Sequence, residues 1–170
     1  NNVAGQIVFN ETPVYEGSFI TATYTVDTSD ASQRFLLTDN RADINTLTVS
    51  VQNSVSDTET TTYTKATDIT QLTSNSTVYY CQEVEAGRFE IYFGDGIVSK
   101  AVSDGNIITM KYVVTNKTEA NGVSSFTAPS SISGETAVSV QTLSRAVGGA
   151  EPESINSIKL KAPLDYSSQG

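Results

Sequence analysis

The sequence of 170 residues contains no histidine and no tryptophan, and it has a single cysteine. Without histidine, the commonest general base and the usual zinc ligand are missing, and a Ser-His-Asp triad cannot form. The lone Cys81 excludes an internal disulfide. It lies in the alternating run 78–82, which favours a buried structural thiol over a reactive one. These absences predict a protein that is not an enzyme.

Basic residues are also scarce. The chain has 10 Lys and Arg against 19 Asp and Glu, with a net charge of −9 and a pI near 4.3. Binding to nucleic acid requires clustered basic residues that neutralise phosphates, so no nucleic-acid partner is expected. No apolar run approaches the roughly 20 residues that span a bilayer, and we expect no membrane insertion.

The acidic residues do not form a convincing catalytic or metal site. Pairs at short spacing, such as Glu83 with Glu85, are typical of solvated surface. Gly94-Asp95-Gly96 with Asp104 nearby suggests calcium, but the alternate carboxylates and closing glutamate of an EF-type loop are missing. Turn formation is the better interpretation, and no cofactor or metal is predicted.

Alternation of apolar and polar residues dominates the chain and predicts β-strands. We expect the strands at 7–9, 19–26, 34–37, 47–51, 77–83, 88–93, 107–114 and 137–143. The fold class predicted is mainly β, an antiparallel β-sandwich or barrel-like module with one short helix near the C-terminus. Local pattern does not decide between sandwich and barrel.

Glycine-containing turns punctuate these strands. Residues 84–87 predict a hairpin between 77–83 and 88–93, with glycine at positive φ. A second hairpin is predicted between 88–93 and 107–114. The residues assigned to structural turns are Gly94, Asp95, Gly96, Asp104, Gly105, Asn121 and Gly122.

The character of the chain changes after a pair of glycines. Gly148 and Gly149 predict a hinge, and Pro152 with its flanking carboxylates predicts a helix start. The helix is expected to run two to three turns and to end at Pro163. The predicted domains are a β-rich domain at 1–147, with a break between two sub-sheets near 66–76, and a segment at 148–170. Because the chain begins with Asn1 and not Met, we interpret it as an interior piece of a longer polypeptide.

Four segments, in this order, resemble the baseplate J-like family of contractile phage tails, and within it the baseplate wedge subunits of T-even-type phages. They are 89–96, 104–112, 120–122 and 148–154 followed by 162–163, and together they span roughly residues 88–165. A single Gly-Asp-Gly carries no such information, and the order of the motifs is what is specific.

The resemblance implies a structural role in the virion. It implies contacts with other baseplate wedge proteins and with copies of the chain itself, an oligomer in the full-length assembly, and a ring that rearranges on sheath contraction. It also implies location in the tail baseplate, with host cytoplasm as the place of assembly. Binding through edge strands is one mode that a Thr-rich β module allows.

A second hypothesis belongs to a different class. The richness in Ser, Thr and Asn and the acidic surface also suit a glycan- or receptor-binding β domain of an adhesin or tail fibre. The absence of tryptophan counts against it, because sugars stack on aromatic side chains.

Overall fold

The computed structural model describes residues 2–3, 6–9, 11–30, 32–151 and 153–167. The strands and the helix have the following bounds: β1 Asn2–Val3, β2 Gln6–Ile7, β3 Ser18–Thr25, β4 Phe35–Leu36, β5 Ala42–Gln52, β6 Thr60–Lys65, β7 Val78–Glu83, β8 Phe89–Phe93, β9 Ile107–Val114 and α1 Ile155–Ser167. The predicted mainly β class with a helix near the C-terminus is confirmed.

Contacts divide the chain into two compact units. One is the continuous stretch 16–115, and the other combines residues 1–15 with 116–170. The continuous unit holds a seven-stranded sheet, and β1 and β2 form a separate antiparallel pair. The domain boundary predicted between residues 147 and 148 stays a prediction.

The seven strands follow the order β3-β9-β5-β6-β7-β8-β4, and the sheet curls into a nearly closed barrel. The two edge strands meet at one place, where the Tyr24 hydroxyl donates to the carbonyl oxygen of Leu36 at 2.7 Å. All neighbouring strands are antiparallel except β6 and β7, which run parallel. A parallel pair needs a connection that returns the chain to the same end of the sheet, and residues 66–77 provide it.

The core lies inside the curled sheet. Along β9, Ile108, Met110 and Tyr112 are fully buried, while the side chains between them point outward or are only half-buried. This is the period of two that a strand with one covered face requires. The Tyr112 hydroxyl lies 3.3 Å from the hydroxyl of the exposed Thr38, so the polar end of this buried side chain has a hydrogen-bond partner at the edge of the core.

The hairpin predicted at 84–87 is confirmed. β7 and β8 pair antiparallel from Tyr79 with Phe93 to Glu83 with Phe89. Ala86 and Gly87 both take positive φ, at 64° and 71°. Most of the predicted strands also coincide with observed ones, since their apolar positions face the barrel interior.

The hairpin predicted between 88–93 and 107–114 is wrong. β8 pairs with β7 and β4, whereas β9 pairs with β3 and β5. The segment 94–106 therefore links strands that are not neighbours in the sheet. Glycine turns reverse the chain locally, but the inward apolar side chains of the other strands select which strands pair.

The strand predicted at 137–143 is also wrong, because the structure assigns no strand between residues 136 and 151. Val140 and Leu143 are 50% and 63% exposed. Alternation alone does not make a strand when no neighbouring strand supplies hydrogen bonds.

The helix is longer than predicted. Ser154 accepts a hydrogen bond from the Ser157 amide at 3.2 Å, as an N-cap does, and Glu153 pairs with Lys161 at 2.6 Å. Pro163 lies inside α1 and does not end it. Proline removes one backbone donor, and the helix nevertheless continues to Ser167.

Candidate functional site

Each residue of the turn Gly94-Asp95-Gly96 has a different structural role. Gly96 takes a φ of +86°. Gly94 is needed for a close approach, since a Cβ there would collide with the hydroxyl of Ser99 and lie 2.8 Å from its carbonyl oxygen. Asp95 accepts from the amides of Ile97 at 2.9 Å and Val98 at 3.3 Å. These backbone amides hold the pKa of Asp95 below its usual value.

The loop that follows is anchored and presents an apolar side chain. Ser99 is fully buried, its hydroxyl lies 3.3 Å from that of Tyr80, and the Lys100 amide donates to the Ser76 carbonyl at 3.0 Å. Ile97 is 76% exposed. The turn motif thus builds a fixed loop and not a hairpin.

The turn at Asp104-Gly105 ties together the ends of three strands. Asp104 accepts from the Thr28 amide at 3.1 Å, just beyond β3. Asn106 donates through its side chain to the Asn53 carbonyl at 2.8 Å, just beyond β5. Gly105 takes a φ of +75°, which places its amide 3.0 Å from the Val26 carbonyl. These contacts fix one end of the barrel.

The other two predicted groups come together in the second unit. The Asn121 side chain exchanges two hydrogen bonds with Gly149, at 2.8 and 3.0 Å, and the Gly122 amide donates to the Ala146 carbonyl at 2.8 Å. A Cβ at Gly149 would collide with the Lys117 carbonyl oxygen, while Gly148 takes a φ of +96°. Glycine is therefore required here for packing as well as for conformation. A hinge at this site stays a prediction, and Pro152 lies outside the described residues.

The described residues contain no cluster of three or more His, Cys, Asp and Glu that could hold a metal ion. Cys81 is half-buried, and burial raises the pKa of its thiol. The part of the chain that the structure covers includes no helix both long and apolar enough to cross a membrane.

The feature most suited to binding is the free edge of β3. The strand pairs with β9 along its whole length on one side. On its other side, the described residues supply only the Tyr24 hydroxyl bond to Leu36 and a bond from the Gln33 side chain to the Thr25 carbonyl at 3.3 Å. Both lie at the C-terminal half of the strand. The part of the strand before Tyr24 is an open edge.

Exposed apolar side chains flank this open edge. Phe19 is 84% exposed and Ile20 is 36% exposed. β3 also carries no charged residue and no proline, the usual means by which proteins protect an edge from pairing. By contrast, the other edge strand, β4, has only two residues. An uncharged edge with an exposed aromatic side chain beside it can take up an additional strand.

The described residues thus define a β module, a curled seven-stranded sheet with one open edge and glycine-built loops. A family model described as "Bacteriophage baseplate wedge protein gp6, third domain" matches residues 21–123, more than half of the chain. The chain belongs to this family. It is therefore a structural component of a phage tail baseplate.

A relative agrees with this family. The chain is 29% identical over 108 residues to "Baseplate wedge protein gp6" of Enterobacteria phage T4, and the match covers 51% of the chain and 16% of the relative. The chain thus corresponds to a small part of that protein's length. The family match contains three of the four segments on which the resemblance was based, and 148–163 lies beyond it.

Sequence reasoning did not identify one important structural residue. β5 and β9 change register between Asp43 and Thr48. In this bulge the Thr46 hydroxyl accepts from the Val113 amide at 2.9 Å and donates to the Asp43 carbonyl at 2.7 Å. No local signal identifies this hydroxyl, because the predicted strand begins only at residue 47, after the bulge.

Proposed function

We propose that this chain helps to assemble the baseplate ring by contacting other wedge proteins and copies of itself, and that these contacts change when the tail sheath contracts. The observation that carries the proposal is the open edge of β3 with Phe19 exposed beside it. Backbone pairing at such an edge joins proteins without a cofactor or a catalytic group.

The rigidity of the barrel supports this role. Its buried side chains form one continuous core, and its loops are fixed by side-chain hydrogen bonds such as those of Asp95 and Asp104. A part that transmits force between subunits must keep its shape while its contacts rearrange. The proposed place of action is the tail baseplate, after assembly in the host cytoplasm.

The proposal is tested in the phage that encodes the chain. A nonsense mutation in this gene, suppressed in one host and not in another, should leave free tails without complete baseplates, as seen by negative-stain electron microscopy. Mass spectrometry of purified wild-type tails should detect the chain. Complete infectious tails from the non-suppressing host, or purified tails that lack the chain, would refute the proposal.

The rearrangement is tested separately by lysine cross-linking of extended and contracted tails. Lys100 and Lys111 lie in the barrel unit, so their cross-links report on its neighbours. We expect links to other subunits in both states and a different set of links after contraction. Identical sets would argue that this module does not change its contacts.

The stacked tyrosine pair of the barrel does not support the alternative of a glycan- or receptor-binding domain. Tyr80 and Tyr92 stack with ring centroids 5.1 Å apart, and Arg34 lies 4.0 Å from the centre of the Tyr92 ring. The Tyr92 ring is thus already packed against its neighbours and does not offer the open aromatic surface that a sugar uses.

A further inference from the structure

The direction of the backbone groups along β3 can be read from its end. The Val26 amide donates to the Asn106 carbonyl at 2.8 Å, and the Gly105 amide donates to the Val26 carbonyl at 3.0 Å, so both groups of Val26 face the β9 side. Directions alternate along a strand. Phe19, Thr21 and Thr23 therefore direct their amides and carbonyls to the open side.

These three residues have no hydrogen-bond partner on that side among the described residues. Thr25 has the same direction, but the Gln33 side chain occupies its carbonyl at 3.3 Å. The open edge is thus limited to Phe19, Thr21 and Thr23, which we call the β3 edge. The fold, and not the sequence pattern, determines which residues belong to the β3 edge.

We propose that the β3 edge pairs antiparallel with the β3 edge of a second copy, about a twofold axis that passes through Thr21. In this register Phe19 lies opposite Thr23 of the second copy, and Thr21 lies opposite its own equivalent. Each of these pairs exchanges two backbone hydrogen bonds. All three free residues of each copy are then used.

The side chains fit this register. Phe19 of each copy pairs with Thr23 of the other, and the two Thr21 residues pair with each other at the axis. Aromatic side chains next to β-branched ones, and threonine next to threonine, are favourable cross-strand pairs on a sheet. The strand carries no charge, although the whole chain has a net charge of −9. A second copy of β3 therefore meets the edge without placing a carboxylate in the pairing.

The symmetry also explains why association stops at two copies. An isologous contact consumes the same surface on both partners. The remaining edge of the sheet, β4, has two residues and is too short to continue the pairing. This inference rests on the proposed function, since it names the surface through which copies of the chain meet.

Sedimentation equilibrium of the chain tests the pairing. We expect a reversible dimer, and we expect it to tighten as salt rises from low to moderate concentration, because screening reduces repulsion between two acidic molecules. Thr21→Pro removes an amide that faces the open side and should weaken the dimer by about 10-fold or more, since both copies lose a hydrogen bond at the axis.

Thr21→Val is the matched control, because it keeps the amide and the β-branched shape, and it should dimerise like the parent chain. Thermal melts establish that each variant folds. If Thr21→Pro does not fold, Phe19→Lys replaces it, since a charge on an exposed side chain blocks edge pairing without entering the core. A monomer at all concentrations, or unchanged dimerisation in the folded edge variant, overturns the inference.

Cross-linking tests the register itself, in a background with Cys81→Ala. A short bismaleimide should join Thr21→Cys to its equivalent in the second copy, and it should not join Asn45→Cys, which lies in the β5 bulge. Equal cross-linking at the two positions would overturn the register. A chain that is present in tails but monomeric would refute this inference alone, while a dimer through β3 that is absent from tails would refute only the proposed function.

Discussion

At the scale of single residues, several side chains replace backbone partners that the sheet leaves unpaired. Thr46 is the clearest case, because its hydroxyl satisfies the amide of the buried Val113 where the register of β5 and β9 shifts. A buried amide without an acceptor costs free energy that folding cannot recover elsewhere. The bulge is therefore a built feature of the sheet.

Thr46→Val should lower the free energy of unfolding by about 1–3 kcal/mol, because it keeps the shape of the side chain and removes the acceptor. Urea denaturation measures the change. Thr48→Val is the control, since Thr48 is exposed and its hydroxyl only supplements a strand that is already paired. Equal effects of the two substitutions would show that Thr46 is not a required acceptor.

The glycines differ in why they are required, and a pair of substitutions separates the reasons. Gly94→Ala should destabilise the chain by about 1–3 kcal/mol, because the added methyl group overpacks against Ser99. The methyl group of Gly105→Ala would meet no atom within 4 Å. This substitution should therefore lower the free energy of unfolding only by the cost of a positive φ, about 1–2 kcal/mol.

Suppressor substitutions provide the control for this pair. Ser99→Gly should recover part of the stability lost by Gly94→Ala, because it removes the hydroxyl that the methyl group meets, and it should not rescue Gly105→Ala. Urea denaturation of both double variants measures this. Rescue of neither or of both would contradict the packing explanation.

At the scale of elements, the loops are held by carboxylates that accept hydrogen bonds within their own turns. Asp27 is bonded by Ser29, Asp68 by Thr70, and Asp95 by Ile97 and Val98. Their pKa values are lowered first by these bonds. The ionised form of each carboxylate is therefore the form that these loop hydrogen bonds favour.

Acid should consequently weaken the fold. A carboxylate with a lower pKa in the folded state than in the unfolded state, where it is about 4, stabilises fully above the unfolded pKa. That contribution is lost as pH falls through the folded pKa. Urea midpoints should therefore fall between pH 5 and pH 2, and Asp95→Asn should show a smaller fall. Thr58→Ala is the control, because it removes no titrating group, and its urea midpoint should fall with pH as steeply as that of the parent chain. An equally steep fall in Asp95→Asn would show that ionised Asp95 does not contribute to the stability of the fold.

At the scale of the whole molecule, the barrel unit contains its own core. Every residue of the buried cluster lies between Val26 and Val114, inside the continuous unit 16–115. Contacts within that stretch include all pairs of the seven-stranded sheet. A continuous segment with its own core is the usual form of an independent domain.

We expect a fragment of residues 16–115 to fold alone, with cooperative thermal unfolding and a far-ultraviolet spectrum typical of β structure. A fragment of residues 1–147 is the comparison, because the sequence pattern placed the boundary there. Similar melting temperatures for the two fragments would place the domain end near residue 115. An unfolded 16–115 fragment beside a folded 1–147 fragment would support the boundary at 147.

The sequence alone determined most of the strands, the mainly β class, the 84–87 hairpin and the family resemblance, because apolar alternation and glycine turns act over a few residues. Tertiary structure decided which strands pair. It separated β8 from β9, made β6 and β7 parallel, and left residues 137–143 without a partner, since pairing depends on how distant apolar faces fill one core. For the same reason only the fold shows that β3 has a free edge: the alternation of Phe19, Thr21 and Thr23 is identical in a strand with two neighbours and in a strand with one.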